Sequence, residues 1–424
     1  MFKKKEILVT AFALFSLFFG AGNLILPPLL GFNSGNQWFV VTIGFCLSAV
    51  LIPLLGILAY ARLQGTLLDF GKKIAPTFGL IYAILIYAIA VALPGPRTAS
   101  VTHEIAIAPL WDISPWWTSS IYFSLVFLFT MNRSKILDVL GKLLTPGIIL
   151  ILILMVGITL FSFPFDFGTT VFKSPFTDGI LEGYQTFDAI AAVVVGGVLV
   201  ISVNLKYKDA PFQEKRSLIR KAGWIAGLAL FLIYMGLILS GALVHSVFDE
   251  GTTRTDLLSG LAKQSLGTVG NLFLSVLVAL ACFTTAVGVV TGTSDFMKSI
   301  CKESQLAYVI TAVVCCVTGV LIGQFQVGYI IAVAVPALMF IYPITIILIL
   351  LNVVPEKWGS VFVFRAVTLT TILFSIPDFL NSIPTLAPKP ETFSWIPLQE
   401  YSLGWVLPAM VTFVFSNSFL RFPK

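Results

Sequence analysis

The sequence predicts an all-α polytopic membrane protein of twelve transmembrane helices, and three observations predict it. Hydrophobic residues make up 58% of the 424 and charged residues 11%, with a mean hydropathy of +0.98, outside the range of a water-soluble domain. Apolar runs of about 20 residues, enough for a hydrocarbon core of about 30 Å, recur along the whole chain. Basic residues also segregate by side. With the N-terminus inside, 20 of the 26 Lys and Arg fall in inner segments, from Lys3, Lys4 and Lys5 through six between Lys206 and Lys221 to Arg421 and Lys424. Five fall outside (Arg97, Lys173, Arg254, Lys263 and Lys389), and Arg365 lies within a span. This bias predicts cytoplasmic termini and an even number of spans.

The expected spans are 7–30, 37–61, 77–95, 115–131, 139–162, 177–203, 222–245, 268–294, 305–323, 327–351, 358–377 and 403–420. The first is too long for a signal-peptide core and lacks a small-x-small cleavage site, so it counts as a span. The net charge of +6 needs no nucleic acid, because inner-loop basic residues meet anionic lipid. Cysteines 46, 282, 301, 315 and 316 show no metal or redox spacing. No enzyme signature appears: there is no HExxH, no phosphate loop, and only two histidines, His103 and His245.

Span 1 contains FFGAGNLILPP, Phe18 to Pro28. Glycine and proline both weaken a helix, and at about 1.5 Å per residue Gly20 lies roughly 20 Å into the membrane. Non-helical backbone at that depth is tolerated where it is buried in protein or lines a cavity. Two glycines alone would suit close helix packing; with Asn23 and two prolines added, the stretch points to a substrate site. Span 3 carries PGPRTASVTHE and either stops near Pro94 or continues with Arg97 facing a wet cavity.

Span 6 reads FTDGILEGYQTFDAIAAVVVGGVLV, where Glu182, Gly183, Gln185, Thr186 and Asp188 disturb the first half. Charge inside a membrane defaults to function, although a shallower start would make Glu182 an interface residue. Span 1 starts inside and span 6 outside, so a five-span repeat would recur inverted. The halves would be 1–162 and 163–352, with two accessory spans in 353–424. Span 8 places Thr284 and Thr285 centrally; two hydroxyls with three carbonyls make a neutral oxygen cage suited to sodium. For the amino-acid solute that the resemblance given next implies, the N–H groups around Ala21 to Asn23 would suit the carboxylate, and carbonyls near Glu182 to Gln185 the ammonium. Phe18, Phe19, Tyr184 and Phe187 offer an apolar pocket worth roughly 2 kcal/mol of burial.

FALFSLFFGAGNLILPP, the PRTA of Pro96 to Ala99, LEGYQTFDA and CFTTAVG together resemble the bacterial branched-chain amino acid:cation symporters, the BrnQ family. The resemblance covers essentially the whole chain. It implies sodium-coupled import of leucine, isoleucine and valine across the bacterial inner membrane, on the five-plus-five inverted-repeat fold of the leucine-transporter (LeuT) type with two additional helices. It implies no cofactor; sodium is the coupling ion. Its implied substrate contacts are Phe18, Phe19, Gly20, Ala21, Gly22, Asn23, Glu182, Gly183, Tyr184, Gln185 and Phe187. Its implied sodium ligands are carbonyls of Ser16, Phe19 and Ala281 with the hydroxyls of Thr284 and Thr285. A second sodium site would need a polar ligand in span 7, which offers only Tyr234 and Ser240. The alternative is a carrier of another neutral solute on the same fold, or one driven by protons through Glu182 or Asp188.

Overall fold

A chain this apolar must satisfy its backbone polar groups within its own helices. The computed structural model, which describes residues 2–419 apart from 64, 133–141, 143–144, 250 and 389, has helices and no strand among those residues. Span 1 is two helices, α1 (Lys4–Phe18) and α2 (Ala21–Ser34). Span 2 is α3 (Trp38–Cys46) and α4 (Ile52–Leu63), joined by a π turn at Leu47–Leu51, and a short α5 (Leu67–Gly71) follows. Span 3 is α6 (Pro76–Ala92) and α7 (Pro94–Val101), the latter running into a second π turn, Thr102–Ile107. Spans 4 and 5 are α8 (Pro115–Met131) and α9 (Thr145–Ser162). Span 6 is α10 (Pro175–Tyr184) and α11 (Asp188–Lys206), and span 7 is α12 (Phe212–Leu243). After α13 (Arg254–Leu266), spans 8 to 12 are α14 (Gly270–Ile300), α15 (Gln305–Ile322), α16 (Val327–Val353), α17 (Val361–Asn381) and α18 (Val406–Phe419). The expected start of span 5 at 139, the end of span 12 at 420, and Arg133, Lys135, Lys389, Arg421 and Lys424 lie outside the described residues.

Proline explains several starts. Pro76, Pro94, Pro115 and Pro175 each stand in the first turn of their helix, where the missing N–H costs nothing and φ is already helical. Nine runs of described residues are long and apolar enough to cross a membrane; one of them is the 43 residues Ala21–Leu63. At about 1.5 Å per residue that run would reach roughly 65 Å if straight. It turns back instead at Gly35, whose φ of 47° lies where glycine is favoured. Ile81, Ile121, Leu228 and Val314 are more than half exposed on the outer faces, as side chains solvated by lipid tails are.

Two expectations change. The break in span 1 is narrower than its sequence suggests: only Phe19 and Gly20 leave the helix, and Pro27 and Pro28 are carried inside α2. Packing compensates for the lost backbone bonds, since α2 lies closely along α12. A Cβ on Gly241 would collide with the Pro28 carbonyl, and one on Gly31 with the Ile238 carbonyl. Arg97, counted above with the outer loops, lies 2% exposed inside the protein.

Both halves of span 1 pack chiefly on span 7, α1 and α2 against α12. Both halves of span 6 pack chiefly on span 2, α10 against α3 and α11 against α4. Exchanging 1 with 6 and 2 with 7 turns one set of contacts into the other.

Candidate functional site

The two broken spans meet. Phe19 leaves α1 with ψ 91° and Gly20 is extended at φ −118°, so the first N–H groups of α2, at Ala21, Gly22 and Asn23, have no carbonyl one turn back. In span 6, Gln185, Thr186 and Phe187 separate α10 from α11. Phe187 adopts φ 65°, ψ 14°, a conformation that costs a bulky residue about 1–3 kcal/mol and is kept where the surroundings over-determine it.

Asn23 ties the breaks together. Its Oδ1 accepts from the Gly20 N–H at 3.0 Å, closing the start of α2. Its Nδ2 donates to both carboxylate oxygens of Asp188, at 2.9 and 2.7 Å, and is bonded to the Tyr234 hydroxyl. Tyr234 in turn donates to Asp188 at 3.0 Å. The backbone N–H of Asp188 reaches Thr186 Oγ1 at 3.2 Å, and Tyr342 Oη accepts from the Ala189 N–H at 3.0 Å. Asp188 and Asn23 are 1% and 2% exposed, so their charge-assisted bonds are shielded from water.

Arg97 reaches the same place from α7. Its Nη1 donates to the Gln185 carbonyl at 2.8 Å, its Nη2 lies 3.5 Å from the Thr186 carbonyl, and its guanidinium sits 4.9 Å over the Phe187 ring. Nη2 occupies the space a Cβ on Gly22 would need. Between these groups is a cavity of about 20 Å³, bounded by Gly20, Asn23, Arg97, Phe187, Asp188 and Thr285 among others. It has room for one water and not for a leucine side chain. A larger cavity of about 840 Å³ lies beyond it, walled by Ser100, Glu104, Arg254 and Gln326. Arg254 bonds Gln185 Oε1 at 2.9 Å and pairs with Glu182 at 3.2 Å, so an Arg254–Gln185–Arg97 chain stands between the two spaces.

Of the residues the sequence singles out, Phe18, Gly20, Ala21, Gly22, Asn23, Phe187 and Thr285 line the small cavity. Phe19 points away, between Phe15 and Tyr234 at ring separations of 5.2 and 6.1 Å. Tyr184 stacks on Tyr342 at 4.4 Å. Gly183 packs against Ser48. Glu182 and Gln185 form the Arg254 partition. The Gln185 carbonyl expected to meet a substrate ammonium already accepts from Arg97. Thr284 Oγ1 donates to the carbonyls of Ser16 at 2.8 Å and Ala281 at 2.9 Å, so these three expected sodium ligands converge. The hydroxyls of Ser16 and Thr285 beside them are buried without a hydrogen-bond partner. Tyr234, considered for a second cation site, is bound up with Asp188. Sequence reasoning gave Asp188 only an alternative role in proton coupling and Arg97 only an alternative place facing a wet cavity; their signal was a charge in a proline-marked span and one at the start of a clean half-helix.

The family model for branched-chain amino acid transport proteins matches residues 3–422. The branched-chain amino acid permease BraB of Bacillus subtilis is 34% identical over 425 residues, covering 96% of this chain and 94% of that one. The branched-chain amino acid transport system 2 carrier protein of Pseudomonas aeruginosa is 31% identical over 418 residues, with 96% and 94% covered. Among solved structures, MhsT in complex with L-phenylalanine matches with a TM-score of 0.57 at 14% identity, over 97% of each chain. A Na+-coupled sialic acid symporter in an outward-open state also matches at 0.57 and 14% identity, over 99% of this chain and 90% of that one. These likenesses establish the LeuT-type inverted-repeat fold. With a whole-length family match and relatives above 30% identity, this multi-pass membrane protein belongs to the branched-chain amino acid transport protein family, a family of transporters and not of enzymes.

Proposed function

We propose that this chain imports leucine, isoleucine and valine across the bacterial inner membrane by sodium symport, with both termini cytoplasmic. One observation carries the coupling: Thr284 Oγ1 bridges the Ser16 and Ala281 carbonyls one turn from the Gly20 break. Sodium is a hard cation that prefers oxygen. Two hydroxyls, Thr284 and Thr285, with the carbonyls of Ser16, Phe19 and Ala281, would surround it without a carboxylate. The unpartnered hydroxyl of Thr285 is the kind of buried polar atom a bound cation satisfies. A structural relative is itself Na+-coupled, which supports the reading by analogy of fold.

The cation would then hold α1 against α14 while the amino acid occupies the neighbouring cavity, enlarged by movement of the half-helices. Ala21, Gly22 and Asn23 would present N–H groups to the carboxylate, and Phe18 and Phe187 would flank the branched side chain. In this reading residues 1–162 and 163–352 are the two inverted halves and 353–424 two accessory spans. A proton-driven variant has one observation in its favour, the buried Asp188 carboxylate between the two breaks. Uptake of radiolabelled leucine into proteoliposomes separates them. Sodium symport requires accumulation with a sodium gradient and none when choline replaces external sodium at constant pH. Accumulation driven by a pH gradient in choline would establish the proton reading instead.

A further inference from the structure

From the oxygen cage at Thr284, one face of α14 stays polar toward the end of the helix. At about 100° per residue, Thr284, Thr291 and Asp295 lie within about 40° of one another, and Asp295 stands about 16 Å along the axis from the cage. In the orientation proposed above this is the cytoplasmic end. Thr291 is fully buried and its hydroxyl has no hydrogen-bond partner. The neighbouring hydroxyls of Thr293 and Ser294 bond back to the carbonyls of Val289 and Val290, as hydroxyls in membrane helices ordinarily do. Asp295, 6% exposed, borders a cavity of about 30 Å³ together with Thr66, Tyr87, Gly197 and Ser299, room for a water or a small cation. A carboxylate kept inside an apolar span is costly and marks an ion pathway. Between the cage and Thr291 the same face carries Gly288, and α1 fills the space there. Leu17 is fully buried, and a Cβ on Gly288 would stand 2.9 Å from its Cδ2. Leu17 follows Ser16, whose carbonyl accepts from Thr284 Oγ1. One movement of α1 about Phe19 and Gly20 would therefore withdraw a cage carbonyl and clear the Gly288 gap together.

We propose that this face of α14 is the release path of the coupling cation, leading from Thr284 past Gly288 and Thr291 to a transit site at the Asp295 carboxylate, and that Leu17 is the plug that closes it in this conformation. This rests on the sodium reading above and adds to it a second cation site on the cytoplasmic side. The Thr291 hydroxyl and the Asp295 carboxylate supply the oxygen that a hard cation prefers along a stretch where an unsolvated charge is otherwise costly. Gly288 is required because a side chain there would meet Leu17.

The test measures two fluxes of radiolabelled leucine in the same proteoliposomes: net uptake driven by an inward sodium gradient, and exchange against internal leucine with saturating sodium on both sides. Net uptake needs sodium to leave on the inner side in every cycle, and exchange needs no net release. Thr291→Val keeps the shape and loses a hydroxyl that bonds nothing, so its melting midpoint should hold, and it carries the test if Asp295→Asn does not fold. Both variants should slow net uptake by about fivefold or more while exchange stays within about twofold of wild type, and Asp295→Glu should restore part of the net rate. Leu17→Ala should raise the efflux of radiolabelled sodium in the absence of leucine, and unchanged efflux overturns Leu17 as the plug. A loss shared equally by net uptake and exchange, or net uptake unchanged in both Thr291→Val and Asp295→Asn, overturns the release path and leaves the sodium reading standing. Wild-type uptake that ignores sodium overturns both.

Discussion

Asn23 and Asp188, 165 positions apart, share both oxygens of one carboxylate through a single amide nitrogen at 2.9 and 2.7 Å. This contact joins the second half of span 1 to the second half of span 6, and Tyr234 completes it from span 7. Asp188→Asn keeps the shape and removes the charge, which weakens bonds worth about 1.5–3 kcal/mol each. A lower thermal midpoint and slower leucine uptake are expected, with sodium dependence retained. Leucine flux that no longer depends on sodium in this variant would move the coupling site to span 6.

A Cβ on Gly20 would stand 2.5 Å from Thr285 Oγ1 and 3.0 Å from its Cβ. Gly20→Ala should therefore lower stability by about 1–3 kcal/mol through overpacking, and Gly20→Leu should abolish leucine binding while the protein still inserts. Thermal melts of the double variant Gly20→Ala/Thr285→Ala should recover part of the loss, because the two sites are in contact. Additive losses would separate the two side chains energetically.

Thr284 and Thr285 should respond differently to valine. Thr284→Val removes two hydrogen bonds and should both destabilise the protein and raise the sodium needed for half-maximal uptake by about fivefold or more. Thr285→Val removes a buried hydroxyl that bonds nothing, so the melting midpoint should hold or rise while the sodium requirement still increases. Unchanged sodium curves in both variants would make the threonines structural.

The Glu182–Arg254 pair is only partly screened from solvent, at 24% and 22% side-chain exposure, and such pairs contribute about 0–1 kcal/mol. Glu182→Gln should leave sodium coupling intact and shift leucine affinity by no more than about threefold. Initial uptake rates in wild-type protein should vary with added potassium chloride as the pair is screened, and this dependence should flatten in the variant. Loss of sodium-driven accumulation would assign Glu182 a coupling role.

Gly31 and Gly157 form a contrasting pair. Gly31→Ala would drive a methyl into the Ile238 carbonyl, whereas a Cβ at Gly157 meets nothing within 4 Å. Expression and melting should suffer strongly in the first. The second should gain up to about 1 kcal/mol from helix propensity.

Most of the architecture was legible because a membrane imposes length and polarity on every segment. Span 4 was expected at 115–131 and α8 is Pro115–Met131. The breaks in spans 1 and 6 were visible for the same reason, since glycine, asparagine and acids are costly in a continuous apolar helix. Partner choice was not legible. Glu182 and Asp188 looked alike in sequence, yet one faces Arg254 and the other Asn23, a difference set by a turn of three residues and the left-handed Phe187. For Arg97 the sequence left two places open, an outer segment after a stop near Pro94 or a continuing span facing a cavity; the helix restarts at Pro94 and carries it inward. Tyr184 and Phe19 were aromatic and adjacent to the breaks, but neighbouring rings on Tyr342 and Tyr234 hold them outside the cavity.

The contact of α2 with α12 has a mechanical meaning. At Gly31 on Ile238 and at Pro28 on Gly241 the two backbones touch with no side-chain layer between them, so a push on one is delivered undamped to the other. Stiffness on that side leaves the compliance of span 1 in its two-residue joint, Phe19 and Gly20. Whatever swings the second half of span 1 must therefore carry span 7 with it as a single lever, and bends the chain at the spot where the proposed ligand and cation would sit.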